Sequence, residues 1–346
     1  MKILGIESSC DDSSASVVEN GRKVLSSVIK SQSTIHNLTG GVVPEVAARE
    51  HLSNMIPAID EALKLANLSM KDIDAIAITQ GPGLVSSLIV GTETANVISF
   101  VEDKLLIPVH HIHGHIYANF LEVEDEIRFP ALILTVSGGH NELILMRDHF
   151  DFTLLGQSRD DAGGEAFDKV ARILGLGYPG GPKISEASQK GNPDAFKFPK
   201  ARLEKGSLDF SFSGLKTAVL NQFTEEVKRE NISDEASVPE KLKNDIAASF
   251  QKAINEALSE KLMLALANYP DVKEVHLAGG VSANENLREM IRLQMPQNVV
   301  FRFPKSLEYC TDNASMIAAA GYFRFQKNPS EFKAKTNIVP SSDFGF

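Results

Sequence analysis

The sequence predicts an α/β chain of two lobes, and three observations carry that expectation. Its 346 residues exceed what one ordinary core organises. Strand-like and helix-like stretches alternate along the whole length. The same strand–loop–strand–turn–strand unit occurs twice, at the start of the chain and again over residues 130–160.

The first unit is "KILGIESSCDDSSASVVENGRKVLSSVIKSQ". Ile3, Leu4 and Ile6 mark a buried strand, "ESSCDDSS" a polar turn and "ASVVEN" a second strand. Asn20-Gly21 then predicts a hairpin turn and "KVLSSVIKS" a third strand. "VVPEVAAREHLSNMIPAIDEALKLAN" has apolar residues at helical spacing. "DIDAIAITQGPG" reads as a strand ending in a Gly-Pro turn, "LVSSLIVGTETANVISFVEDK" as a helix and "LIPVHHI" as a strand. The second unit repeats the pattern: an apolar strand, the loop "SGGH", then strands "ELILM" and "FTLLGQS". "EAFDKVARILGL" and "LKNDIAASFQKAINEALSEKLMLALANY" predict helices, and "VKEVHLAGGVSAN" a strand running into a glycine turn. "SANENLREMIRLQM" predicts a helix with Ser282 as N-cap, and "TDNASMIAAAGYFRFQ" the last helix.

Two lobes that each open on a hairpin with a small polar loop resemble the actin-like, sugar-kinase and Hsp70-type ATPase fold. There, duplicated hairpin-containing domains hold nucleotide phosphates across an interlobe cleft. On that pattern residues 1–108 and 310–330 form an N-terminal lobe and 109–129 a connecting, metal-binding helix. Residues 130–309 form a C-terminal lobe with a helical insertion, and 331–346 a tail.

Composition narrows the function. A 43% hydrophobic, 23% charged chain is globular, and a net charge of -10 argues against a stand-alone nucleic-acid binder. Cys10 and Cys310 make no disulfide framework, which suits a reducing cytoplasm. The start "MKILGIESSCDDSS" turns polar too soon for a signal peptide, and no uncharged apolar run is long enough for a bilayer.

Four glycine loops offer backbone N–H groups to a ligand. Val136, Ser137, Gly138, Gly139 and His140 occupy the hairpin loop of the second unit, where small residues let amides approach a phosphate. "DDAGGEAFDK" opens a helix bearing Asp168, whose N-terminus favours anions. "GYPGGPKI" exposes Gly180 and Gly181, and in "AGGVSAN" Ser282 or Asn284 can reach a purine or ribose edge. Asp11 stands in the first hairpin loop, where such ATPases place an acidic residue. Phe210 and Phe212 read as core anchors.

"VHHIHGHIYAN", residues 109–119, holds four of the nine histidines. On a helix, His111 and His115 stand at i, i+4 and share a face, a spacing that suits two imidazole ligands. Two histidines do not close a site, and a divalent ion wants a carboxylate or water as well; Asp312 is the candidate unless it is an N-cap, and Cys310 is the rival, which would favour zinc. Ile112 stands where a zincin-type protease needs its glutamate base, which weakens a hydrolytic reading.

In this order, "GIESSCDDS", "GGVVPEVAAREH", "GPGLVSSLIVG", "HIHGHIYAN", "VSGGH", "DDAGGEAFDKVARILGLGYPGGP", "FSFSGLKTAV", "AGGVSAN" and "CTDNASMIA" resemble the TsaD family over nearly the whole chain. The length looks like the bacterial branch. The resemblance implies transfer of a threonylcarbamoyl group from threonylcarbamoyl-adenylate to the N6 amine of the adenine beside the tRNA anticodon, with release of AMP. It implies one divalent ion per subunit, Fe(2+) or Zn(2+), on His111, His115 and Asp312. Val136 to His140 would line the phosphate and carbamoyl end, and Asp168, Gly181 and Asn284 the adenosine part. Asp11 would lie near the reacting end, and Asp11 and His140 are the candidates for the base. A TsaB-like paralogue, a TsaE-like ATPase and tRNA would be the partners, with no membrane. Ser185 departs from the family, where an Asp is common, and puts one ribose or adenine contact in doubt. The rival functions are a small-molecule kinase or ATPase of the same fold, a metallopeptidase, and a nucleotide-binding scaffold.

Overall fold

The computed structural model of the chain describes residues 1–342 other than 202, 233, 235 and 236, and the side chains of these apart from 38 and 39. The last four residues of the expected tail, 343–346, lie outside the described residues.

Two five-stranded mixed sheets carry the fold, and each is built around the first strand of its unit. In the first sheet β1 (Lys2–Glu7) is central. β2 (Asp12–Glu19) pairs antiparallel with it, and β3 (Lys23–Ser31) with β2. On the other side β4 (Ala75–Gly81) and β5 (Leu105–His110) add in parallel. The second sheet repeats this with β6 (Ala131–Val136), β7 (Asn141–Asp148), β8 (Asp151–Gln157), β9 (Glu274–Ala278) and β10 (Val300–Arg302). Its order β10-β9-β6-β7-β8, reversed, matches β3-β2-β1-β4-β5. The duplication legible in the order of elements is therefore a duplication of topology, and the α/β expectation holds.

Local chemistry explains the turns. Asn20 (φ 52) and Gly21 (φ 67) are both left-handed, as a two-residue hairpin turn between twisted strands requires. The central strands are apolar on both faces because helices cover them. α2 (Pro44–Leu65) and α3 (Val85–Glu102) pack on the first sheet, where Leu4, Ile6, Met55, Ile59, Ile76 and Ile78 form the core. α10 (Ala314–Lys327) returns from the far end of the chain onto that sheet. A Cβ on Gly5 would run into the Ala314 carbonyl, so glycine lets α10 lie that close to β1.

The compact units are Met1–Phe129, Met146–Phe152 and Arg302–Phe346 on one hand, and Pro130–Leu145 with Thr153–Phe301 on the other. Residues 109–129 thus belong inside the first unit, and the turn between β7 and β8 groups with it.

Some elements were not expected. α1 (Ser33–Thr39), α6 (Gly180–Ser188) and the short β10 carry turn residues or too few apolar positions to show a period, whereas α7 (Ser213–Arg229) does show one, with Leu215, Val219, Phe223 and Val227 four residues apart behind its Ser-Gly start. "GYPGGPKI" is not a loop throughout: α6 begins at Gly180. The N-cap of α9 (Glu285–Gln294) is Asn284, whose side chain accepts from the Leu287 N–H; Ser282 lies in the 3-10 turn before it. Phe210 and Phe212 are buried, as core anchors should be.

A candidate metal centre and a glycine-loop site

β5 ends at His110 and α4 (His111–Tyr117) begins at once, so four histidines enter one turn and a half of helix with different duties. His110 is the N-cap: its Nδ1 accepts the Ile112 N–H at 3.2 Å. His113 stacks on Phe152, with ring centroids 4.6 Å apart, and burial pushes its pKa well below the usual value. Ile112 is fully buried in the core. His111 and His115 remain, one turn apart, with ring centroids 4.7 Å apart. α4 and α10 pack closely, and a Cβ on Gly114 would lie 2.6 Å from Ile317 Cδ1.

That packing brings Asp312 to the histidines. Its neighbour Asn313 caps α10, accepting the Met316 N–H at 3.0 Å, so Asp312 is not the cap. The Asp312 Oδ1 lies 3.2 Å from His115 Nε2 and 3.5 Å from His111 Nε2. One ligand atom from each of the three residues falls within 4.8 Å of the others. Neither ring nitrogen of the buried His115 forms a hydrogen bond, a costly state for an imidazole shielded from water. Two imidazoles and a carboxylate are the donor set of a borderline divalent ion, and a buried ring that makes no hydrogen bond fits one. Cys310, the rival ligand, is fully buried with Sγ 3.6 Å from the Ser306 carbonyl, outside this group.

The electrostatics favour a cation. Burial opposes charge on His111, but the Asp312 and Glu7 carboxylates raise its pKa to about 9. Burial raises Asp11, with Asp312 adding to the shift, and burial with the Asp11 charge lifts Asp12 to about 7. The turn that carries Asp11 is pinned: Leu84 donates its N–H to the Ser9 carbonyl at 2.8 Å. His51 Nε2 bonds the Cys10 carbonyl at 3.0 Å, and its Nδ1 is 2.7 Å from Ser13 Oγ.

In the second unit, the loop after β6 closes tightly. Ser137 N–H donates to the His140 carbonyl at 2.8 Å, and His140 N–H to Ser137 Oγ at 3.2 Å. α5 (Gly163–Ile173) abuts it through Gly164, whose N–H donates to the Ser137 carbonyl at 3.0 Å. The turn after β9 closes on it too, because Gly279 (φ +81) lies against the Val136 backbone. Asp168 Oδ1 accepts the Gly180 N–H at 2.7 Å and so fixes the start of α6. Asn284 is engaged at both ends of its amide: Oδ1 accepts from Leu287 N–H, and Nδ2 donates to Gln251 Oε1 at 2.9 Å. Val136 to His140, Asp168 and Gly181 thus come together through backbone packing.

The glycines divide into two kinds. Gly163, Gly164, Gly180 and Gly279 have backbone or buried side chains where a Cβ would sit. Gly138, Gly139, Gly181 and Gly280 have nothing within 4 Å of that point and no left-handed backbone. Neither packing nor conformation asks for glycine at the second set.

Residue patterns missed three further side chains. Glu7 is fully buried at the end of β1 and contacts His111; an ionisable residue closing the apolar run "KILGIE" was the signal. His51 gave none beyond its place in an amphipathic helix. Asn141 follows the glycine loop and is buried with both amide atoms unbonded. The stretch "FKFPKARLEK", residues 196–205, mixes basic and aromatic residues, but its charge is in part neutralised, Lys200 pairing with Glu256 at 3.0 Å, and residue 202 of it lies outside the described residues.

A family model described as "TsaD: tRNA N6-adenosine threonylcarbamoyltransferase" matches residues 23–319. A Clostridium kluyveri protein of that transferase name is 47% identical over 348 residues, covering 100% of this chain and 98% of its own. One from Staphylococcus saprophyticus is 48% identical, covering 94% and 91%. One from Listeria monocytogenes is 48% identical, covering 97% and 95%. Among solved structures, T.kodakarensis HypF aligns at TM-score 0.61 and 17% identity, over 94% of this chain and 48% of that one. Component A of the Acidaminococcus fermentans (R)-2-hydroxyglutaryl-CoA dehydratase aligns at TM-score 0.52 and 14% identity, over 94% and 98%. These two likenesses concern the fold, the actin-like ATPase architecture expected from the duplicated hairpins.

Proposed function

The chain belongs to the TsaD family of tRNA N6-adenosine threonylcarbamoyltransferases, and on that premise we propose that it moves a threonylcarbamoyl group from threonylcarbamoyl-adenylate to the N6 amine of the adenine adjacent to the tRNA anticodon. The observation that carries the reading is the group His111, His115 and Asp312, with the His115 ring buried and unbonded. These residues would hold one divalent ion, Fe(2+) or Zn(2+), which when bound supplies a Lewis acid for substrate oxygens.

The chain's own residues do the rest. The open backbone at Gly138 and Gly139 lets amide N–H groups approach the phosphate and the developing oxyanion, where preorganised donors count most. Gly181 leaves room for a flat adenosine, and Asp168 and Asn284 keep that side rigid through their bonds to Gly180 and Leu287. The N6 nitrogen forms a bond to the carbamoyl carbon, the bond from that carbon to the phosphate oxygen breaks, and AMP leaves. The proton released from N6 goes to Asp11 or His140. Burial raises the pKa of Asp11, which makes it a stronger base than a solvated aspartate.

A metallopeptidase is disfavoured by Ile112, which is buried in the core where the base would stand. The chain would act in the cytoplasm with a TsaB-like paralogue and a TsaE-like ATPase, and the exposed apolar side chains on α2 and α3 suit such a partner. No helix among the described residues is long and apolar enough to cross a membrane. The test supplies tRNA, threonylcarbamoyl-adenylate and both partners, and reads modified adenosine by mass spectrometry. Wild type makes product, and Asp312→Ala lowers the yield about 100-fold or more. A wild-type chain that makes none overturns the transferase reading; an Asp312→Ala chain of normal activity overturns the metal group.

A further inference from the structure

We propose that Glu7 is a positioning residue that decides which ring nitrogen of His111 faces the ion. The inference rests on the metal reading above and goes beyond it to a residue outside the three ligands.

Glu7 closes β1 at the centre of its sheet and is fully buried. Its carboxylate sits among donors. Oε1 accepts the Ser9 N–H at 2.6 Å, and Oε2 accepts the Thr79 hydroxyl at 2.7 Å. The same Oε2 lies 3.1 Å from His111 Nδ1. The Ser9 hydroxyl also lies 3.1 Å from Nδ1 and can either donate or accept there, but a carboxylate only accepts, so of the two neighbours it is Glu7 that favours keeping the imidazole hydrogen on Nδ1. An ion would then displace the hydrogen of Nε2 and take the lone pair there, on the nitrogen that lies 3.5 Å from Asp312 Oδ1, beside His115 Nε2 at 3.2 Å from the same oxygen. The arrangement is a carboxylate–histidine pair behind a ligand position, a device that fixes tautomer and ring orientation together. His115 has no comparable support, since its Nδ1 makes no hydrogen bond. The two histidines are therefore unequal: the Nδ1 of His111 is held by Glu7 and Ser9, whereas the Nδ1 of His115 is held by no hydrogen bond.

Thr79 makes the pair rigid. It stands on β4, beside β1, and its hydroxyl occupies the oxygen that His111 also uses. Replacing Glu7 by Gln leaves one acceptor oxygen for these donors and brings an amide NH₂ that can turn toward Nδ1. That would move the imidazole hydrogen to Nε2, where it blocks the ion.

The experiment measures Zn²⁺ affinity of the full chain by competition with a chromophoric chelator, beside the thermal unfolding midpoint of each metal-free variant. Glu7→Gln is expected to bind Zn²⁺ about 10- to 100-fold more weakly, Thr79→Val to show a smaller loss of the same sign, and Asp312→Ala to bind least. A purely structural Glu7 would instead lower the unfolding midpoint and leave the Zn²⁺ affinity of the folded protein unchanged. Wild-type affinity in both Glu7→Gln and Thr79→Val, with Asp312→Ala impaired, overturns the role of Glu7 and spares the metal reading. Wild-type affinity in Asp312→Ala overturns the metal reading itself. Should Glu7→Gln fail to fold, Thr79→Val and imidazole ¹⁵N shifts of the Zn²⁺-loaded wild type decide. The proposal requires a protonated Nδ1 and a coordinated Nε2 on His111, and the reverse assignment overturns it.

Discussion

Glu142, the second residue of β7, is buried with Oε2 making no hydrogen bond, and burial pushes its carboxyl up to about 7. A carboxyl whose folded pKa is raised holds its proton more tightly when folded. Its stabilising contribution is full below the unfolded pKa and is lost as pH rises toward the folded value of about 7. Above that pH the chain keeps an unpaired charge out of water. Glu142→Gln removes the titration, so the variant should match wild type near pH 4.5 and exceed it by up to about 3 kcal/mol at pH 8. Urea unfolding at the two pH values reads the difference; a gap that does not widen with pH rejects this assignment. Residue patterns picked out the three residues that the structure brings together but not the side chains around them, for a physical reason. His111 and His115 are neighbours on one helix, and helical spacing alone pairs them. Glu7 meets Thr79 across 72 positions and His111 across 104, and such contacts exist only after two strands and a helix have assembled. Asp312 could be read as a cap until Asn313 was seen to take that bond.

At the scale of elements, a Gly-Gly pair carries two meanings that sequence cannot separate. In α6 the first glycine is structural: a Cβ on Gly180 would lie 2.5 Å from Asp168 Cα and 2.6 Å from the Phe167 carbonyl. The second, Gly181, has open space. Gly180→Ala should destabilise the chain by about 1–3 kcal/mol, since backbone must shift to admit a methyl group. Gly181→Ala sits in the first turn of a helix, where alanine is the better helix former by up to about 1 kcal/mol. Its unfolding midpoint should hold or rise while, on the proposed function, transfer activity falls, because the methyl group would occupy the surface proposed for adenosine. Full activity in Gly181→Ala removes that residue from the ligand surface. The same ambiguity hid α6 itself: two glycines and a proline read as a loop, although proline is tolerated in a first helical turn. Ser282 and Asn284 posed a like problem, since both can cap a helix and only the backbone shows which of them does.

The whole molecule was the most legible level, because the order of elements survives where residue identity between the two units does not. One strand, a hairpin to one side and parallel strands to the other generate both sheets. What the duplication leaves unexplained is a surface. α2 and α3 pack side by side, and Leu52 and Ile56 on one, with Val85, Ile89, Val97 and Phe100 on the other, are exposed. The i, i+4 spacing of Leu52 with Ile56, and of Val85 with Ile89, puts each pair on one helix face. Phe100 alone is 65% exposed, an unfavourable state for an aromatic ring in water. A chain of net charge -10 gains little by presenting apolar area to tRNA. On the proposed function a TsaB-like paralogue would cover it, and the positive field for tRNA would then come from the assembly. Ile89→Asp with Phe100→Asp alters two exposed positions, so the fold should lose no more than about 0.5 kcal/mol at each. Burying two carboxylates in an apolar interface costs far more, and co-elution with the TsaB-like paralogue should disappear. Product formation should fall with it, while the isolated chain keeps its Zn²⁺ affinity. Co-elution that survives both substitutions moves the partner to another face.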